Sequence, residues 1–151
     1  MLSIGDPAPA FTLVDADRNS VSLTDSRGSA RLVVFIPNPF TGVCDGEGCA
    51  IRDNLTRLAD LDARVIVITC HARPTNKKWS EDNGFTFPVL SDFWPHGNVA
   101  RAYGAFNEDL GIANRVTYVI DGNGVVRDII ASDSLSTARE FDAYADALEK
   151  L

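Results

Sequence analysis

Phe11 to Val14 and Val21 to Leu23 alternate apolar and polar positions on either side of a polar stretch, Asp15 to Ser20. That pattern predicts an N-terminal β-hairpin. Leu32 to Ile36 is apolar at every position and of strand length, as a strand covered on both faces requires. Pro37, Pro39 and Gly42 end it, and a helix is predicted from Cys44 to Ala59, with Ile51, Leu55 and Leu58 on one face. Val65 to Ile68 predicts a second buried strand. Pro74 to Asn83 predicts a helix with proline near its start and Gly84 past its end. A short strand is expected over Phe87 to Leu90 and a short helix over Asn98 to Tyr103. Val116 to Ile120, the turn Asp121 to Gly124, and Val125 to Ile130 predict a hairpin. The last helix carries Phe141, Ala145, Leu148 and Leu151 on one stripe, with Thr137 and Glu140 placed for a capping box.

Strands alternating with helices imply parallel central strands with helices on both faces, and the closing hairpin adds antiparallel strands. The order fits an α/β protein of thioredoxin-like fold, a mixed central sheet flanked by helices. No repeat, low-complexity tract or linker divides the chain, so residues 1–151 are read as one domain. With 45% hydrophobic and 23% charged residues, the composition is that of a soluble globular protein. Fourteen Lys and Arg stand against 21 Asp and Glu, for a net charge of -7. That balance argues against nucleic-acid backbones and against anionic membrane surfaces as partners. The opening Met1 to Leu13 has neither a basic segment nor a long apolar run, so no secretory signal is expected. Three cysteines are too few for a secreted disulfide scaffold, and a reducing, cytoplasmic setting is expected.

In sheets of this kind reactive residues lie beyond the carboxyl ends of the parallel strands. Cys44 falls just past the strand Leu32 to Ile36, where a helix begins. Free backbone N–H groups and the helix macrodipole favour an anion there, and the thiolate is the nucleophilic form of cysteine. A buried, inert cysteine is the bland alternative. The shaped loop of Pro37, Pro39, Gly42, Gly46 and Gly48 argues for the reactive reading.

Pro37-Asn-Pro-Phe-Thr41-Gly-Val-Cys44 resembles the P-x-x-x-T-x-x-C motif of the peroxiredoxins. Glu47, and Arg115 ahead of a later strand, also fit that family's pattern, and Gly5 to Leu13 resembles its N-terminal hairpin. Gly84 to Gly97 and Ala102 to Glu108 resemble the AhpE group, which is typically one-cysteine. The resemblance implies a thiol-dependent peroxidase that needs no haem, flavin or metal cofactor. It makes Cys44 the thiolate that attacks a hydrogen peroxide or organic hydroperoxide substrate and becomes a sulfenic acid. Arg115 would stabilise the thiolate and the leaving oxygen. Thr41 would bond the thiolate or the peroxide, Pro37 would shield the sulfur, and Glu47 would hold the arginine. Taken singly, each has a plainer reading. Thr41 and Glu47 suit the first turn of any helix, Arg115 suits a solvated loop, and Pro37 ends a strand.

Cys49 departs from the one-cysteine pattern and resembles the C-x4-C of the bacterioferritin-comigratory, or PrxQ, group, in which the second cysteine resolves the sulfenic acid. On an intact helix residues five apart rise about 7.5 Å and point about 140° apart. A disulfide needs Cα atoms within roughly 7 Å, so Cys44 and Cys49 can join only if the helix unwinds. Gly46 and Gly48, each weakening a helix by about 1 kcal/mol relative to Ala, are expected to ease this. The alternative is a helix-face Cys49 and an external thiol. Cys70 is expected to be a small semi-buried residue at a strand end, or else a reserve resolving thiol on the rim of Cys44. His71 and His96 do not give the paired spacing of a structural zinc site, so no metal is expected. Phe93 and Trp94 stand in a Pro/Gly-bounded loop suited to the core or to an interface. By the same resemblance a homodimer is expected, with a thioredoxin-like or glutaredoxin-like protein, or a low-molecular-weight thiol, as reductant. The rivals are a dithiol oxidoreductase, which the absence of C-x-x-C disfavours, and a non-enzymatic redox sensor.

Overall fold

Period-two alternation along the strands sorts apolar side chains into two layers. The computed structural model describes residues 1–151. Its elements are β1 (Thr12–Val14), β2 (Ser20–Ser22), β3 (Ala30–Phe35), α1 (Gly42–Asp53), α2 (Leu55–Asp60), β4 (Ala63–Thr69), α3 (Arg73–Asn83), β5 (Val89–Ser91), α4 (Asn98–Ala102), β6 (Phe106–Asn107), β7 (Ile112–Ala113), β8 (Val116–Ile120), β9 (Val126–Ala131) and α5 (Phe141–Glu149). Seven strands form one mixed sheet in the order β2-β1-β5-β4-β3-β8-β9. Strands β3, β4 and β5 run parallel, and β8 returns antiparallel beside β3. No helix is long and apolar enough to cross a membrane.

Leu32, Val34 and Ile36 of the β3 run face one layer together with Val65 and Val67 of β4; Cys44, Ile51, Leu58, Trp79 and the apolar face of α5 pack there. Val33, Phe35, Ile66, Ile68 and Cys70 face the other layer, with Phe11, Leu23, Val99 and Tyr103. Fully burying a side chain of this size stabilises the fold by about 1.5–3 kcal/mol, and the central strands contribute on both faces. Cys44 and Cys70 thus lie on opposite faces of the sheet.

The helix expected from Cys44 to Ala59 begins earlier, at Gly42, and is broken at Asn54. The Asn54 side chain donates to Ala50 O at 2.8 Å, taking a carbonyl the helix would use, and the chain restarts as α2. α3 has Pro74 in its first turn and a left-handed cap at Gly84, φ 65°, as the sequence predicts. The capping box expected of Thr137 and Glu140 does not form. Glu140 is itself the N-cap of α5, and Leu151 lies exposed beyond the helix. The residue that would be third in the box, Glu140, has extended backbone at φ -81° and ψ 133°, so no helical turn links it to Thr137. The small hairpin of β6 and β7 is not visible in the sequence pattern. Its strands are two residues long, and its turn is made by Asn107 Oδ1 accepting from the N–H of Asp109 and Leu110, both at 3.1 Å.

Gly46 and Gly48 of α1 play different parts. A Cβ on Gly46 meets nothing within 4 Å, whereas one on Gly48 would lie 2.5 Å from Phe85 Cζ. The Phe85 ring packs against Trp79 and Phe87, with centroids 5.0 and 4.8 Å away, and would have to shift to admit a methyl group. Gly48 is therefore required by packing, which corrects the expectation that it serves chiefly to weaken the helix. Thermal unfolding should separate the two. Gly46→Ala is expected to stabilise by up to about 1 kcal/mol through helix propensity. Gly48→Ala is expected to destabilise by about 1–3 kcal/mol through overpacking.

Candidate active site

β3 delivers the chain into the loop from Pro37 to Thr41, and α1 begins behind it. Asp45 N–H is the first to close a helical bond, to Thr41 O at 2.8 Å. The N–H groups of Gly42, Val43 and Cys44 are therefore among the free donors of the helix start. Cys44 sits on that first turn with an exposure of 0%, and Pro37 is buried as well.

Arg115 precedes β8 on the face that points toward α1. Its Nη2 donates to Cys44 Sγ at 3.2 Å, its Nη1 donates to Glu47 Oε1, and its Nε donates to Leu135 O at 3.1 Å. Nη2 also donates to Leu135 O, at 2.5 Å. The structure thus brings together Cys44, Glu47 and Arg115, with Pro37 on the same loop.

The Thr41 hydroxyl is placed differently. It donates to Asn38 O at 2.7 Å, and the residue is exposed. It makes no side-chain cap on α1, which leaves the free N–H groups open to another anion. In this state it braces the loop rather than touching the sulfur.

The residue that sequence reasoning missed is Arg139. Its Nε and Nη2 clasp the two oxygens of Glu47, both at 2.8 Å, and its Nη1 donates to Thr117 Oγ1 at 3.0 Å. Thr117 in turn donates to the Tyr144 hydroxyl at 3.0 Å. Arg139 is 92 positions from its partner and in no motif, so no local signal marks it. Burial alone would raise the Glu47 carboxyl, but the hydrogen bonds and charge of Arg139, with the charge of Arg115, outweigh it and hold the group below its ordinary range. Burial alone would lower Arg139, and the Glu47 bonds and charge raise it above the usual value. One carboxylate thus orients two guanidinium groups, and one of those touches the sulfur.

Cys49 lies on the same intact helix, its Sγ 3.7 Å from Asn83 Oδ1 and turned toward α3. All three cysteines are free thiols. Cys70 follows the neighbouring parallel strand, on the same carboxyl rim as Cys44 but on the opposite face of the sheet. It is buried in the other layer, and burial, then the nearby Asp92 charge, push its thiol up to about 12. That corrects its reading as a reserve resolving thiol. Cys70 is expected to resist iodoacetamide at pH 8 in the native protein and to react only on unfolding, as peptide mass mapping would show. His96 is a loop residue whose two ring nitrogens face Phe93 O at 3.1 Å and Gly111 O at 2.7 Å.

A surface cavity of about 720 Å³ lies between Asp15, α3 and the stretch from Phe85 to Val89; none of Cys44, Glu47, Arg115 or Arg139 lines it. Residues 4–129 match the AhpC/TSA family. Alkyl hydroperoxide reductase E of Mycobacterium tuberculosis is 48% identical over 128 residues, covering 84% of each chain.

The chain belongs to the AhpC/TSA family.

Within that family its relatives extend to the chloroplastic peroxiredoxin Q of Suaeda salsa, 32% identical over 99% of this chain and 69% of that one. A crystal structure of the peroxidoxin BcpB from Mycobacterium tuberculosis has a TM-score of 0.89 at 27% identity, covering 100% of this chain and 99% of that chain. The thioredoxin-like fold expected from the element order is thus the AhpC/TSA fold, and the protein is a peroxiredoxin, a thiol-dependent peroxidase.

Proposed function

We propose that this protein reduces hydrogen peroxide and organic hydroperoxides through a sulfenic acid on Cys44. The contact of Arg115 with Cys44 Sγ, held by Glu47 and Leu135, carries the reading. In the reaction the Cys44 thiolate attacks one peroxide oxygen in line. The S–O bond forms as the O–O bond breaks, and the second oxygen leaves as hydroxide or alkoxide and takes up a proton. Negative charge moves from sulfur to the departing oxygen. The Arg115 fork and the free N–H groups of the first turn lie where that charge develops. Pro37 limits water at the sulfur. Thr41 reaches the peroxide by releasing Asn38 O, a rotation of one side chain.

Cys49 is the resolving thiol in this proposal. Its sulfur attacks Cys44, the S–O bond breaks, and the hydroxide leaves as water with the thiol proton. The five-residue spacing on one helix requires α1 to unwind first. An external low-molecular-weight thiol is the second reading, favoured by the intact α1 and by the contact that turns Cys49 toward Asn83. A thioredoxin-like or glutaredoxin-like protein, or a small thiol, then returns the disulfide to thiols. The free thiols suit a reducing, cytoplasmic setting. Trp94 is 82% exposed, with Phe93 exposed beside it, and in this proposal a second copy docks on that pair.

The test is peroxide consumption with a dithiol reductant. Wild type is expected to turn over and Cys44→Ser to fall to background. Turnover in Cys44→Ser would remove the proposal, and reduction of insulin disulfides without peroxide would favour a dithiol oxidoreductase.

A further inference from the structure

The seam between α1 and α3 has a regular construction. Asp45, Cys49 and Arg52 recur at helical spacing along one side of α1, and each meets the same stretch of α3. Asp45 Oδ1 accepts from the buried Trp79 Nε1 at 2.6 Å. Cys49 Sγ lies against Asn83 Oδ1 at 3.7 Å, and Arg52 Nη1 donates to Asn83 O at 2.7 Å. Asn83 is itself braced, its Nδ2 donating to Trp79 O at 2.9 Å. Elsewhere α1 is held by the packing of Gly48 on Phe85 and by the Glu47 clasp.

We propose that this seam is a latch that sets how fast the sulfenic acid of Cys44 is resolved, with Asp45 and Asn83 as its positioning residues. The inference rests on Cys49 as the resolving thiol. For the two sulfurs to meet, the stretch from Cys44 to Cys49 must leave helical geometry, so the contacts of Asp45 and Cys49 with α3 must break. The Arg52 contact lies beyond that stretch and keeps the remainder of α1 docked. While the latch is closed, the Cys49 thiol proton faces the Asn83 amide oxygen and its sulfur is turned from Cys44. When it opens, the Cys49 sulfur displaces hydroxide from Cys44, and a disulfide and water are formed. The competing fate of the sulfenic acid is a second peroxide, which delivers one oxygen to give a sulfinic acid and water. The strength of the seam thereby divides Cys44 between resolution and over-oxidation.

A charge-assisted hydrogen bond such as that of Asp45 is worth about a tenfold shift in an opening equilibrium. Asp45→Ala is therefore expected to speed disulfide formation about tenfold and Asn83→Ala about threefold. The measurement is a rapid-quench time course after one equivalent of hydrogen peroxide, with sulfenic acid and the Cys44–Cys49 disulfide quantified by mass. Sulfenic acid should appear at the wild-type rate in both variants. Asp45→Asn keeps an acceptor for Trp79 Nε1 without the charge and is expected to bring disulfide formation to between the Asp45→Ala and wild-type rates. At excess peroxide, Asp45→Ala should accumulate less sulfinic acid than wild type. Unchanged disulfide rates in both alanine variants would overturn the latch while leaving Cys49 as the resolving thiol. Persistent sulfenic acid with no Cys44–Cys49 disulfide in wild type would overturn the resolving role and the latch with it. Thermal unfolding of each variant distinguishes a loosened seam from an unfolded protein.

Discussion

Replacing Glu47 with glutamine is expected to lower the stability of the fold by about 3–5 kcal/mol, the penalty of stripping a buried charge of its partner. For a chain of this size that corresponds to roughly 6–20 °C in the unfolding midpoint. Glu47 accepts from Arg115 and three times from Arg139, and all three side chains are buried. Glutamine has one acceptor oxygen and an amide that donates, so one of its ends would face a guanidinium with the wrong polarity. Buried Arg139 would then lose its carboxylate partner, and Arg115 would keep only the Cys44 sulfur and the Leu135 carbonyl. The pH dependence of stability should change as well. In the fold the Glu47 carboxyl is held below its ordinary range, so its contribution is complete above an unfolded value of about 4.3 and is lost as pH falls through the lower folded value. Wild type is expected to show an acid limb below about pH 4.3 that shrinks in Glu47→Gln. Urea unfolding at several pH values measures both effects, and a change under about 1 kcal/mol at pH 7 would contradict the account.

Arg115→Lys is expected to slow the reaction of Cys44 with peroxide by about 10²–10³-fold, the usual loss when one preorganised donor is taken from a site of developing negative charge. The guanidinium of Arg115 reaches three partners at once: the Cys44 sulfur, the Glu47 carboxylate and the Leu135 carbonyl. A lysine ammonium is a compact point charge on a flexible stem and cannot span the three. It keeps the net charge, so a large loss measures geometry rather than charge. Stopped-flow rates under pseudo-first-order peroxide give the number directly. A loss under tenfold would mean that a nearby positive charge suffices.

The central sheet was legible because apolar runs such as Leu32 to Ile36 and Val65 to Ile68 state both their length and their burial, and the hairpin of β8 and β9 states its turn in Asp121 to Gly124. The break at Asn54 was not, since it depends on one side chain competing for Ala50 O. Nor were β6 and β7, too short to show alternation. In the site, Pro37, Cys44, Glu47 and Arg115 were readable as a spaced motif, and three of the four are joined by contacts in the fold. Arg139 was invisible because its partner is distant in the chain and nothing in its neighbours Ala138 and Glu140 announces a buried ion pair. Cys70 was readable as a residue at a strand end, and only the alternative of a reserve thiol near Cys44 failed, because nothing local shows which face of the sheet it takes. Its parity is that of Ile66 and Ile68, and those residues face away from α1.

The most direct test of the account is peptide mass mapping of the reduced protein after one equivalent of hydrogen peroxide, with a sulfenic-acid trap present, for wild type and Cys49→Ser. The account predicts oxidation at Cys44 alone: a Cys44–Cys49 link with the loss of two hydrogens in wild type, and trapped sulfenic acid on Cys44 in the variant. An unmodified Cys44 in both proteins would contradict it.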